Sequence, residues 1–249
     1  MVQANSRAIT SNQRSLHEEI PQRVAKYWQQ PFLKPIAAHS QEAFASANQQ
    51  VQQFAGPVIL DACCGVGEST AELARRYPEA LVIGVDKSAH RLAKHVQYQQ
   101  QDNAQYLLVR ADLNDFWRLA AAANWPVQQQ CIFYPNPWPK KKHVGRRWHG
   151  APVFPALVQL GGALEIRSNW PLYLQEFAVA LACVGIESKV QPLAITEHPI
   201  TPFERKYQAS GQQLWQLQAA LANAELLAAP MLAQLSAQLL DNSATAAQN

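Results

Sequence analysis

Four residues, Asp61, Gly65, Gly67 and Asp86, have the types and spacing to hold a nucleoside. Glycines at 65 and 67 let main chain approach a ligand without interference from a Cβ, and an aspartate closing the next apolar run can accept both hydroxyls of a ribose. A second set lies far along the chain. Lys140, Lys141, Lys142, His143, Arg146 and Arg147 concentrate positive charge in a stretch with no Asp or Glu between Asp115 and Glu165. One-sign clustering of this kind can grip a phosphate backbone. Trp138 and Trp148 in the same stretch could stack on bases or anchor the loop.

The elements that must position these residues follow from apolar runs and turn signals. Val58-Ile59-Leu60 reads as a strand, Asp61 to Glu68 as a glycine turn, the next stretch as a helix, and Leu81 to Asp86 as a second strand. A parallel β-α-β unit puts the turn at the carboxyl end of its first strand, where open α/β sheets bind ligands. A dinucleotide is disfavoured: the third glycine of its fingerprint is replaced by Thr70, and Glu68 stands where a pyrophosphate would meet the helix. Ser40 to Phe54 has helical spacing of Phe44, Ala47, Val51 and Phe54 and is ended by Gly56-Pro57. Leu92 to Tyr98 continues as helix and Tyr106 to Val109 as a third strand, after which Asp112 can cap the next helix. Cys131 to Tyr134 is a fourth strand running into the basic loop. Leu214 to Leu240 reads as a helix pair broken at Pro230, packed on the sheet or forming a dimer contact.

The chain has 249 residues, 48% of them hydrophobic, ample for one large core, and a net charge of +3 with pI near 8.7. So mild a balance means that any polyanion partner must be argued from local clustering. Cys63, Cys64, Cys131 and Cys183 form no C-x-x-C pair and have no histidine at zinc-site spacing, so they read as reduced thiols and no metal is expected. Met1 to Asn12 lacks a hydrophobic signal core, and no apolar run approaches the ~20 residues that span a bilayer, which predicts a cytoplasmic protein without membrane contact. The organisation expected is an N-terminal arm over 1–39, partly disordered; a catalytic domain over 40–218; a helical extension over 219–240; and a disordered tail over 241–249. In the arm, Arg14, Arg23, Lys26 and Lys34 are interleaved with His17, Tyr27, Trp28 and Phe32, either to contact phosphates or as a solvated arm on the core. A monomer or homodimer is expected.

An acid before Gly-x-Gly and a second acid closing the next strand resemble the S-adenosylmethionine (SAM) site of Rossmann-like methyltransferases. That resemblance puts Asp61, Gly65 and Gly67 near the methionine end, Asp86 on the ribose and Asp112 on the adenine amino group. Pro135-Asn136-Pro137-Trp138-Pro139-Lys140-Lys141-Lys142-His143-Val144-Gly145-Arg146-Arg147 then resembles the Pro-Asp-Pro-Trp-x-Lys-x-x-His-x-x-Arg-Arg signature of bacterial tRNA (guanine-N7-)-methyltransferases, with one departure. Gly161 to Trp170 resembles that family's fifth strand and Thr-Asp-Trp turn, Thr201-Pro202-Phe203-Glu204-Arg205-Lys206 its Thr-x-Phe-Glu motif, and Gly211 to Leu217 its closing strand.

The resemblance implies an α/β Rossmann-like SAM-dependent methyltransferase fold: a mostly parallel, doubly wound sheet with a C-terminal antiparallel hairpin. It also implies methyl transfer from SAM to N7 of a tRNA guanine, in the variable loop. By the same resemblance Asn136 and Asn169 orient the base, Asn136 being the catalytic position. Lys140, His143, Arg146 and Arg147 hold phosphates, and Thr201, Phe203 and Glu204 close the pocket from a loop between the last two strands. Asn136 and Asn169 stand where the family motifs have aspartate. A carboxylate accepts at both oxygens whereas an amide offers one acceptor and one donor, so the Asn136 amide NH2 would confront a donor of guanine unless the base turns or water intervenes. Two alternatives remain open. One is methylation of an exocyclic amino group, suggested by Asn136-Pro137-Trp138; the other is a diverged, inactive relative that binds SAM or RNA.

Overall fold

The computed structural model describes residues 6–97 and 105–247. The elements are α1 (Ile20–Gln29), α2 (Ala38–Gln53), β1 (Val58–Ala62), α3 (Glu68–Arg76), β2 (Leu81–Asp86), α4 (Ala89–Leu92), β3 (Tyr106–Arg110), α5 (Leu113–Ala122), β4 (Val127–Phe133), α6 (Phe154–Gln159), β5 (Ala163–Ser168), α7 (Pro171–Ala182), β6 (Ser188–Pro192), α8 (Pro202–Ala209), β7 (Trp215–Ala220) and α9 (Ala229–Ala247). They build a seven-stranded sheet in the order β3-β2-β1-β4-β5-β7-β6. All neighbours pair in parallel except β5 with β7 and β6 with β7. The expected doubly wound sheet with an antiparallel C-terminal hairpin is therefore the fold observed.

Local chemistry explains the arrangement. Every residue of β1 and β2 is buried, as strands covered by helices on both faces require. α5 buries Leu113, Phe116, Trp117 and Ala120 along one stripe, and Phe116 meets Phe44 of α2 and Trp125 edge-on at 5.5 and 5.4 Å between ring centroids. Thr70 lies in α3, and the room for close helix–sheet packing comes from the strand instead: a Cβ at Gly84 of β2 would collide with Thr70. The strand order reverses between β1 and β4, opening a crevice at their carboxyl ends, the place where such sheets bind ligands.

Several sequence expectations change. The helix read over Leu92 to Tyr98 is the short α4 followed by a 3-10 turn over Ala93–Gln97, and Tyr98 lies outside the described residues. Trp215–Ala220 form β7: the closing strand that the resemblance put at Gly211 to Leu217 is observed, and the helix read from Leu214 is overturned there because Leu217 is needed between β5 and β6; a single helix, α9, follows. α9 contacts α1 and continues to Ala247, through most of the stretch read as a disordered tail. Residues 6–19, in the arm read as partly disordered, lie along the body with Gln13 and His17 buried, because Glu176 of α7 accepts from the Gln13 amide and from the His17 N–H at 3.0 Å. Among the described residues no helix is long and apolar enough to cross a membrane.

Candidate active site

A cavity of about 660 Å³ opens at the carboxyl end of the sheet, over the crevice between β1 and β4. One side is lined by Cys63 after β1, Asp86 at the end of β2, Arg91 of α4 and Asp112 after β3; the other by Tyr134, Asn136 and Trp138 after β4, Asn169 after β5, and Phe203 and Tyr207 of α8. Cys63, Tyr134 and Trp138 have left-handed backbone, with φ of 66°, 51° and 46°. They are three of the five non-glycine residues with positive φ among those described, and the other two are asparagines, which tolerate it. Backbone strain at this cavity is held by the surrounding fold, as at functional sites.

On the first side, Asp86 is 2% exposed and both of its oxygens are engaged. Oδ2 accepts the Gly65 N–H at 3.1 Å; Oδ1 accepts the Ser88 N–H at 2.8 Å and pairs with Arg91 Nη2 at 3.0 Å. The glycine turn thus orients the carboxylate, and Arg91, whose side chain is 41% exposed, sits on the oxygen that a ribose hydroxyl would use. Gly65 and Gly67 form the expected glycine turn with left-handed backbone, φ of 63° and 76°. Asp112 caps α5: its Oδ1 accepts from the Asn114 N–H and side-chain amide, both at 2.9 Å, leaving Oδ2 for the cavity. Capping the helix therefore uses only one oxygen of the carboxylate.

Asp61 does not line the cavity. It is fully buried, with Ser69 and Thr70 hydroxyls donating to Oδ2 at 2.6 and 2.7 Å and Oδ1 without a partner among the described residues. Burial pushes its carboxyl up to about 6, against the two hydroxyls that hold it down. A buried, half-satisfied carboxylate beside the glycine turn suits a cationic amine.

On the second side, Asn136 Oδ1 accepts the Trp138 N–H at 3.3 Å, and Asn169 Nδ2 donates to Gln212 Oε1 at 2.9 Å. Phe203 stacks with Tyr207 at 6.0 Å, and Tyr207 lies 5.6 Å from the tilted ring of Tyr134, giving this wall an aromatic lining. Arg146 packs over the Trp138 ring at 4.8 Å and reaches the cavity rim.

Three expected site residues have other roles. Arg147 is 0% exposed, so it cannot meet a phosphate. Its guanidinium pairs with Glu176, donates to Gln13 Oε1 at 2.9 Å and to the Trp138 carbonyl at 3.2 and 3.0 Å, and lies over Trp170 at 5.0 Å. Burial pushes the Glu176 carboxyl up, but His149, Arg147 and Gln13 outweigh it and bring it down to about 2. Glu204, also 0% exposed, accepts from the Tyr134 hydroxyl at 3.0 Å, from Arg167 and from the Ile200 N–H, so it supports the wall from behind. Thr201 is the N-cap of α8, its hydroxyl accepting the Glu204 N–H at 2.9 Å. These residues begin a helix, not a loop, and only Phe203 of the motif faces the cavity. Lys140 and His143 stay on the outer loop; the His143 ring lies 5.7 Å from Trp138, and desolvation with Arg146 and Lys142 nearby lowers its proton affinity.

Arg91, Tyr134 and Tyr207 went unnoticed in the sequence. A signal existed only for Tyr134, which ends β4 at the crevice; Arg91 and Tyr207 reach the cavity through tertiary packing.

A doubly wound sheet with a reversed seventh strand, carrying a carboxylate-lined cavity at its switch point, defines the Rossmann-like methyltransferase class. Residues 55–217 match the Methyltransf_4 family model, described as "Putative methyltransferase", and the chain belongs to that family. It is 27% identical over 172 residues to a tRNA (guanine-N(7)-)-methyltransferase of Neisseria meningitidis serogroup A, covering 65% of this chain and 70% of that one. It is 29% identical over 173 residues to the protein of the same name from Alcanivorax borkumensis, covering 65% and 71%. Among solved structures, a 16S rRNA (adenine(1408)-N(1))-methyltransferase from Catenulisporales acidiphilia with cosubstrate SAM superposes with a TM-score of 0.52 at 18% identity, covering 72% of this chain and 91% of that one. An antibiotic-related methyltransferase superposes at 0.51 and 14% identity, covering 71% and 92%. At such identities these structures establish the fold alone.

Proposed function

We propose that this protein transfers the methyl group of SAM to N7 of a guanine in tRNA. The observation that carries the reading is the cavity that joins Asp86 and Asp112 on one side to Asn136, Asn169 and an aromatic wall on the other. Relatives named for this reaction support the acceptor.

The residues suit SAM. Asp86 would take the ribose hydroxyls once Arg91 swings out and Asp112 Oδ2 the adenine amino group, while Asp61, sealed behind the glycine turn, would act on the amine of the methionine end only through its charge. When bound, SAM supplies an electrophilic methyl on a sulfonium. Guanine N7 carries a lone pair and no proton at neutral pH, so no general base is needed, and Asn136, an amide, serves by holding the base. Orientation of N7 in line with the methyl accounts for several kcal/mol of the barrier, roughly 7–11 in well-aligned systems. Phe203 and Tyr207 offer the base a stacking face, and Lys140, Lys142 and Arg146, exposed on the loop after β4, would meet tRNA phosphates. The Arg147 guanidinium, donating to the Trp138 and Lys140 carbonyls, holds that loop in shape.

The test is incubation of the purified protein with methyl-labelled SAM and bulk tRNA, followed by digestion to nucleosides. The label is expected in 7-methylguanosine. Label in an N-methylated exocyclic amine, or none with SAM bound, would overturn the reading in favour of an amino-methylating enzyme or an inactive binder.

A further inference from the structure

Asn136 and Asn169 face the same cavity with opposite polarity, and the fold dictates which end each amide shows. The partner of Asn136 is the Trp138 main-chain N–H, 3.3 Å away. An N–H can only donate, so Asn136 must turn its oxygen inward, leaving Nδ2 for a ligand. Asn169 is set by a longer relay. The Gln212 amide donates through Nε2 to the Ser6 carbonyl at 2.9 Å, which only a nitrogen can do. Gln212 therefore presents Oε1, and Asn169 must meet it with Nδ2, at 2.9 Å, leaving its oxygen for a ligand. Neither amide can flip without setting like against like. An aspartate at 169 would place a carboxylate oxygen against Gln212 Oε1, so the asparagine there belongs with Gln212 and the N-terminal segment that orients it.

We infer that the acceptor base is recognised by this donor–acceptor pair, Asn136 Nδ2 donating to guanine O6 and Asn169 Oδ1 accepting guanine N1–H, with the 2-amino group unread. The inference rests on the proposed guanine methylation. O6 and N1–H are adjacent on the guanine edge and complement the pair in order, whereas two carboxylates would take the two donors N1–H and 2-amino. The consequence is a change in what the site demands: hypoxanthine, which has O6 and N1–H but no 2-amino group, satisfies it as fully as guanine does. N7 remains turned to the methyl in both bases.

The experiment compares tRNA carrying guanosine or inosine at the methylated position, with the full chain and labelled SAM. The native protein should methylate both with kcat/KM values within about threefold, because both bases offer O6 and N1–H to the pair. Asn136→Asp removes the donor to O6 and supplies a pair of acceptors, so the guanosine-over-inosine ratio should rise by about tenfold or more, as sites that read an N–H reject analogues lacking it. Asn136→Ala deletes a hydrogen bond common to both bases and should lower both rates together with the ratio unchanged, which separates loss of recognition from loss of structure. Guanosine methylated but inosine rejected about tenfold by the native chain would overturn the amide pairing and leave guanine methylation standing. Guanosine not methylated at all would overturn both.

Discussion

Arg147 stands at a motif position that reads as a phosphate contact, yet its guanidinium is sealed inside the protein, and replacing it with alanine separates the two roles. The substitution would leave Glu176, also 0% exposed, without its main counter-ion and strip donors from Gln13 and the Trp138 carbonyl. Breaking a buried pair by removing one partner costs about 3–5 kcal/mol. At about 2–4 °C per kcal/mol for a domain of this size, Tm should fall by roughly 6–20 °C. Glu176 gives the same network an acid limit. Its carboxyl is held near 2 in the folded chain against an ordinary 4.5, so the unfolded state binds the extra proton between those values. That contribution, on the order of 3 kcal/mol, is full above about pH 4.5 and is lost as pH falls towards 2. The assay is thermal unfolding of Arg147→Ala and Arg147→Ala/Glu176→Gln at neutral pH, with tRNA affinity measured across a salt series. The double variant should recover part of the lost Tm, because the orphaned charge is gone. An unchanged Tm with a salt slope shallower by about one phosphate would refute the burial argument and return Arg147 to the tRNA surface.

Three other outcomes follow from the cavity. Lys140→Ala/Lys142→Ala should flatten the salt dependence of tRNA binding by up to about 0.9 for each phosphate no longer neutralised while leaving SAM affinity as it was; a matching loss of SAM binding would mean the loop belongs to the cofactor side. Arg91→Ala frees Asp86 Oδ1 and should tighten SAM by a few fold at most, since the ion pair is half exposed, whereas Asp86→Ala should abolish saturable binding; a tenfold weakening in Arg91→Ala would make that arginine a cofactor ligand. The raised carboxyl of Asp61 must ionise to attract an amine from behind the glycine turn, so SAM affinity measured calorimetrically should climb as pH rises through about 6 and then level off, with proton release on binding below that point. Affinity that stays flat from about pH 5 to 7.5 would remove Asp61 from the cofactor site.

The sheet was legible because its central strands are continuous apolar runs that end on glycine turns or acids. Val58 to Asp86 and Tyr106 to Asp112 needed little more than that pattern, and Asp86 and Asp112 indeed line the cavity. The errors arose where a residue's partner lies far off in sequence. Arg147 is fixed by Gln13 and Glu176, and nothing local distinguishes it from the exposed Arg146 beside it. Thr201 to Glu204 was a different kind of miss: Thr-Pro-Phe-Glu is a helix start, with a capping hydroxyl, proline in the first turn and glutamate at the third position. Local chemistry could have identified it as α8. The polarity of Asn136 and Asn169 was beyond any local reading, since it depends on a carbonyl at Ser6 reached through Gln212.

The central claim is that the nucleophile is guanine N7, and transcripts in which 7-deazaguanine replaces guanine throughout test it most directly. They keep the base edge that the asparagines would read and remove only the lone pair, putting C–H in place of N7. Methyl transfer from labelled SAM should fall to background on such tRNA while the guanine transcript is methylated in parallel, and binding of the two transcripts should match within a few fold. Label incorporated undiminished into the 7-deazaguanine transcript would contradict the account and place the accepting atom elsewhere.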